Sequence, residues 1–166
     1  MVRIWSNSIN GCDKSLTICN SPTAIRPAGT QAIGGQYGSA EKALAAAGSK
    51  GWGRVMVEAR VLSGKSPEHI EWVVNEWGKT PAHVLKGISH TLDGADTAPL
   101  LPQVKVPTLI LAPTHSPLTP LSDQLSMRTL IPNACITVIE GPSHETYVDD
   151  PDTCITAFLK FIRSVG

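Results

Sequence analysis

The chain has 166 residues, enough for the core of one domain or of one layer with a small subdomain. Its 14 Lys+Arg balance 14 Asp+Glu, which argues against nucleic acid or a strongly acidic partner. No apolar run reaches the roughly 18 residues of a membrane span, and the N-terminus lacks the basic-then-apolar pattern of a signal peptide, so a cytoplasmic setting is expected.

The four cysteines, Cys12, Cys19, Cys135 and Cys154, show no CxxC spacing and predict neither a disulfide nor a zinc site. Met1 to Gly11 offers only a weak helical spacing of Ile4, Trp5 and Ile9. Lys14 to Asn20 reads as a short apolar strand ending in a polar turn. Ala28 to Gly38 is glycine-rich, matches no phosphate-binding loop, and is read as a mobile entrance to the helices that follow. Ser39 to Ala47 predicts a helix stopped by Gly48, and Arg54 to Leu62 a second. Ser66-Pro67 opens a third, with Ser as N-cap, Pro at the first position and an apolar stripe of Ile70, Val73, Val74 and Trp77, stopped by Gly78. Thr80-Pro81 opens a fourth by the same device, with Val84, Leu85 and Ile88 expected inward. Ala95 to Lys105 reads as a linker.

From Val106 onward the pattern changes. Thr108 to Ala112 is an apolar run between Pro107 and Pro113, the mark of a strand buried on both faces. A helix follows, with Thr119 as N-cap and Pro120 at its first position, ending before Pro132. Cys135 to Ile139 predicts a second buried strand, closed by Gly141-Pro142. Strand, crossover helix and parallel strand form a βαβ unit, whose ligands bind at the carboxyl ends of the strands. His115, Ser116 and His144 lie at those ends. The last helix opens at Asp150-Pro151, and its stripe of Ile155, Phe158, Leu159 and Ile162 is expected to pack on the sheet.

Lys14-Ser-Leu-Thr-Ile-Cys-Asn20, Ser116-Pro-Leu-Thr-Pro120 and Gly141-Pro-Ser-His144, in this order along the chain, resemble the α/β-hydrolases, in particular the branch of 3-oxoadipate enol-lactonase. In that family Gly-x-x-His carries the triad base, and an Asp-x-x-x-Pro loop carries the triad acid. The resemblance therefore implies that His144 is the base, while Ser116 stands where the acid is expected. Met1-Val2-x-x-Trp5 is similar to the family's helix just past the nucleophile elbow, and no Gly-x-Ser-x-Gly occurs in the chain. The implied fold is α/β: a truncated α/β-hydrolase of about three parallel strands with flanking helices, residues 1–20 and 103–166 forming the core and 21–102 a helical cap. The first strand would leave an open edge, so completion by a C2 homodimer is expected, through the Met1 to Ser8 helix and the Lys14 to Asn20 strand.

His144 is the leading catalytic candidate, since a neutral imidazole takes and returns protons near physiological pH. Ser116 cannot stabilise an imidazolium as a carboxylate does, but it can fix a tautomer. Glu145, Asp123, Asp93 and Asp96 are weighed as substitutes for the missing acid. His115, Trp52, Asn20 and Ser21 are the expected substrate-binding residues. His69, His83 and His90 lack metal-ligand spacing, and neither a metal nor a cofactor is expected. The expected function is an enzyme that moves a proton through His144 in a cyclisation, isomerisation or elimination of an apolar, oxygen-bearing small molecule. The alternatives are a catalytically silent binding protein and a fragment of an ester or lactone hydrolase.

Overall fold

The computed structural model of the chain describes residues 14–24 and 27–166. Among them are three strands: β1 (Leu16–Cys19), β2 (Thr108–Pro113) and β3 (Ala134–Ile139). The helices are α1 (Pro27–Gly34), α2 (Ala40–Glu58), α3 (Pro67–Lys79), α4 (Ala82–Leu92), α5 (Leu121–Leu130), α6 (Thr146–Asp149) and α7 (Pro151–Val165). The strands run parallel in the order β1-β2-β3, with Leu16 opposite Thr108 and Thr108 opposite Ala134.

β2 is buried along its whole length, as its uninterrupted apolar run demands. Its side chains alternate between two clusters. Ile110 and Ala112 pack with Met127 of α5 and with Leu101 and Val104 from the 3-10 turn and loop before β2. Leu109 and Leu111 pack with Cys154 and Phe161 of α7. A helix thus covers each face of the central strand. The helices α1 to α4 pack on one another, with α2 in contact with the other three.

Several local expectations are corrected. β3 is the edge of the described sheet and is not buried on both faces: Cys135 is exposed and Val138 is 43% exposed. On α7 the face toward the sheet is Cys154, Ala157, Phe161 and Val165, while Ile155, Phe158, Leu159 and Ile162 are exposed. Both sets fit helical spacing, so periodicity alone cannot choose between them; the Asp150 cap and the loop from β3 set the rotation of the helix. Ala28 to Gly38 is no open loop. It forms most of α1 and a 3-10 turn at Gly35–Tyr37, and a Cβ at Gly34 would lie 2.3 Å from the Ser39 nitrogen.

The two helices expected on either side of Gly48 are one element, α2, broken at that residue by φ 67°. A Cβ there would meet nothing, so the backbone angle and not crowding requires glycine. Ser66 does cap α3, accepting the His69 N–H at 3.2 Å, and Val73 and Val74 are buried. Gly78 does not stop that helix; it lets Lys50 approach, whose Cβ would lie 3.1 Å from an added Cβ. Thr80 ends α3 and caps nothing after it, its carbonyl taking the Ser49 hydroxyl at 2.6 Å. α4 starts at Ala82, and Val84 and Ile88 are exposed, not inward. The Met1 to Ser8 helix and Cys12 lie outside the described residues. No described helix is long and apolar enough to cross a membrane.

Candidate active site

Parallel strands bring their carboxyl ends to one side of a sheet, so Asn20, the loop after β2 and the loop after β3 meet there. Asn20 adopts φ 52°, a left-handed conformation that asparagine tolerates, and its side chain turns across the sheet. Its Nδ2 donates to the His144 carbonyl at 2.6 Å, and its Oδ1 accepts the Thr146 hydroxyl at 2.6 Å. The His144 N–H donates to the Val61 carbonyl at 3.1 Å, from the turn after α2. Both backbone groups of His144 are therefore held, one by β1 and one by the helical segment.

The imidazole is held as well. Ser116 Oγ lies 2.8 Å from His144 Nδ1. The same Oγ accepts the Leu118 N–H at 3.1 Å and the Thr119 N–H at 3.0 Å. Ser116 thereby closes its own turn and meets the histidine in one step. Burial holds the His144 imidazole below its ordinary pKa, favouring the neutral ring at neutral pH. Thr119, expected as the cap of α5, is instead fully buried. The chain turns earlier, on Ser116, and α5 begins at Leu121 without a side-chain cap.

A second polar cluster fixes the other side of the same loop. Lys65 and Asp149 form an ion pair with side chains only 7% and 4% exposed. Asp149 Oδ2 also accepts the Ser143 N–H at 3.1 Å and the Ser143 hydroxyl at 2.8 Å. Ser143 Oγ in turn accepts the Glu145 N–H at 3.0 Å. Glu145 faces away from the imidazole and meets His69 Nε2 of α3 at 3.2 Å. A cavity of about 410 Å³ opens beside this cluster, lined in part by Lys65, Ser66, His69, Glu140, Gly141 and Asp149; His144 is not among its lining residues.

The other expected site residues are dispersed. His115 points outward, its side chain 66% exposed and 3.3 Å from Glu140. Ser21 contributes its carbonyl to Gln124 Nε2 at 3.0 Å. Trp52 donates to the Ile33 carbonyl at 2.9 Å and packs 5.9 Å from Trp77, so it works in helix packing and lines no part of the 410 Å³ cavity. None of the weighed acids is bonded to the imidazole: Asp96 caps a local turn at the Ala98 N–H, Asp93 ends α4, and Asp123 lies in the first turn of α5. Cys19, at the end of β1, is exposed, its Sγ 3.6 Å from the Thr146 hydroxyl. Among the described residues no cluster of His, Cys, Asp or Glu could hold a metal ion, and His83 and His90 are exposed on α4. Reading the sequence missed Val61, Lys65, Ser143, Thr146 and Asp149. Only the density of polar residues from Ser143 to Asp150 pointed that way.

This architecture is that of the α/β-hydrolase fold. The enol-lactonase from Burkholderia xenovorans LB400 superposes with a TM-score of 0.79 over 96% of this chain and 60% of its own, at 16% identity. An esterase from Exiguobacterium antarcticum gives 0.78 over 96% of this chain and 60% of its own, at 14% identity. MenH from S. aureus gives 0.72 over 96% and 62%, at 19% identity. The chain thus spans about three fifths of the solved structures that it matches. No protein-family model and no curated protein matches the sequence.

Proposed function

We propose that this chain binds a carbonyl-bearing small molecule beside His144 and moves a proton on it without forming an acyl-enzyme. The observation that carries this reading is the 2.8 Å contact between Ser116 Oγ and His144 Nδ1, at the position where the resemblance to hydrolases expects a carboxylate. Acyl transfer makes an imidazolium, and a buried carboxylate is what stabilises it. A hydroxyl offers no charge, and burial further disfavours the imidazolium. Isomerisation, cyclisation or elimination asks less: a positioned substrate and one group that handles a proton at the carbonyl. The enol-lactonase among the structural neighbours suggests an enol lactone as the first substrate class to try.

α-Angelica lactone in D₂O tests this by proton NMR. In the expected reaction the His144 ring holds the carbonyl oxygen while a proton leaves the neighbouring ring carbon to solvent, the double bond shifts into conjugation, and a deuteron from D₂O adds at the far carbon. His144→Ala abolishes it. Ring opening to 4-oxopentanoic acid that depends on His144 would contradict the reading and favour a hydrolase. No His144-dependent change in any such lactone would favour a silent binding protein.

The same reading includes a homodimer. The β1 edge away from β2 has no partner among the described residues, and Ile155, Phe158, Leu159 and Ile162 present an exposed apolar stripe. Sedimentation equilibrium is expected to give twice the chain mass; a stable monomer would remove this part of the proposal.

A further inference from the structure

The hydrogen bonds around Ser116 decide which nitrogen of His144 carries the proton. A hydroxyl oxygen has one proton to give and two lone pairs to receive. Both lone pairs of Ser116 Oγ are taken by donors that have no alternative role, the backbone N–H groups of Leu118 and Thr119. The remaining direction is the O–H itself, and the acceptor within reach is His144 Nδ1. If Nδ1 carried the proton, Ser116 Oγ would receive three hydrogen bonds. Its own proton would then be left without an acceptor at a residue only 9% exposed, a costly arrangement in a buried site.

We infer that Ser116 locks His144 in the tautomer protonated at Nε2, so that the ring presents a hydrogen-bond donor where a triad histidine presents a base. Among the described residues no group pairs with Nε2. The ligand that completes the site is therefore one that offers an acceptor: a carbonyl, ester or carboxylate oxygen. Ser116 is a positioning residue, acting through the imidazole. A neutral imidazole aimed at a carbonyl polarises it and acidifies the neighbouring C–H bond, the use to which triosephosphate isomerase puts its own neutral histidine. The choice of ligand class rests on the function proposed above; the tautomer does not, since hydrogen bonds alone fix it.

Two-bond proton–nitrogen NMR of the ¹⁵N-labelled whole chain, at a pH where His144 is neutral, reads the tautomer directly. The expected pattern is Nε2–H in the parent protein. Ser116→Thr, which keeps the hydroxyl, retains it; Ser116→Ala gives a mixture; Ser116→Asp, which supplies an acceptor, switches the ring to Nδ1–H. A parent protein showing Nδ1–H, or a mixture unmoved by Ser116→Ala, would overturn the inference. Dispersed amide spectra identify the variants that fold, and the parent pattern is decisive by itself. If the tautomer stands and the lactone experiment fails, the function is wrong and the geometry right; the reverse outcome makes His144 an ordinary base.

Discussion

The loop from Glu140 to Asp149 carries two polar clusters, and they differ in where they place charge. On one side Lys65 and Asp149 form an almost fully buried ion pair, further satisfied by two hydrogen bonds from Ser143. On the other, at the position matching a catalytic acid, a hydroxyl meets a neutral imidazole. The full charges hold the loop to the helical segment, while the candidate site is kept uncharged. A site intended for acyl transfer would place a carboxylate where Ser116 stands. The contrast separates what anchors the histidine from what tunes it.

The comparison breaks most visibly at its charged side. Asp149→Ala leaves Lys65 buried without a counter-charge, which costs about 3–5 kcal/mol; urea unfolding monitored by circular dichroism is the check, and a loss below about 1 kcal/mol would show that the pair is not buried in solution. Ser116→Ala is smaller, about 1–3 kcal/mol, because it strands two backbone N–H groups and no charge. If Ser116→Ala costs more than Asp149→Ala, the roles of the clusters are reversed.

The pH dependence sharpens the neutral side. Burial lowers the His144 pKa in the folded protein, so the unfolded chain takes up the proton first as pH falls. The contribution of the neutral ring is present above the ordinary histidine pKa and is lost below it. Denaturation midpoints at about pH 8 and about pH 5.5 are expected to fall toward acid, and His144→Gln to remove that part of the fall. An identical slope in His144→Gln would place its origin elsewhere. Smallest of all, Ile155→Ser on the exposed face of α7 is expected to lower the assembled mass of the proposed homodimer while changing the stability of the single fold by no more than about 0.5 kcal/mol. An assembled mass equal to that of the parent protein would mean that this stripe is no part of the interface.

Much of this was legible in the residues. The β2 run, the Ser66-Pro67 helix start and the Gly-Pro-Ser-His loop each rest on short-range rules that tertiary packing left alone. The α7 face was not legible, because Cys154, Ala157, Phe161 and Val165 satisfy the same spacing as the larger side chains expected to be buried. Nor was the Lys65–Asp149 pair, whose partners are 84 positions apart and carry no local pattern. Ser116 and His144 were each picked by motif position, but the two backbone donors that settle the direction of their hydrogen bond come from how the Ser116 turn folds.

Among the described residues no negative charge serves the imidazole. The nearest carboxylates in sequence are engaged elsewhere, Glu145 with His69, Glu140 with His115 and Asp149 with Lys65. An NMR titration of the His144 ring in the intact chain tests this most directly. The expected midpoint lies below that of a free histidine and rises in Ser116→Asp; a midpoint above it in the parent protein would mean that a carboxylate is bound to the ring after all.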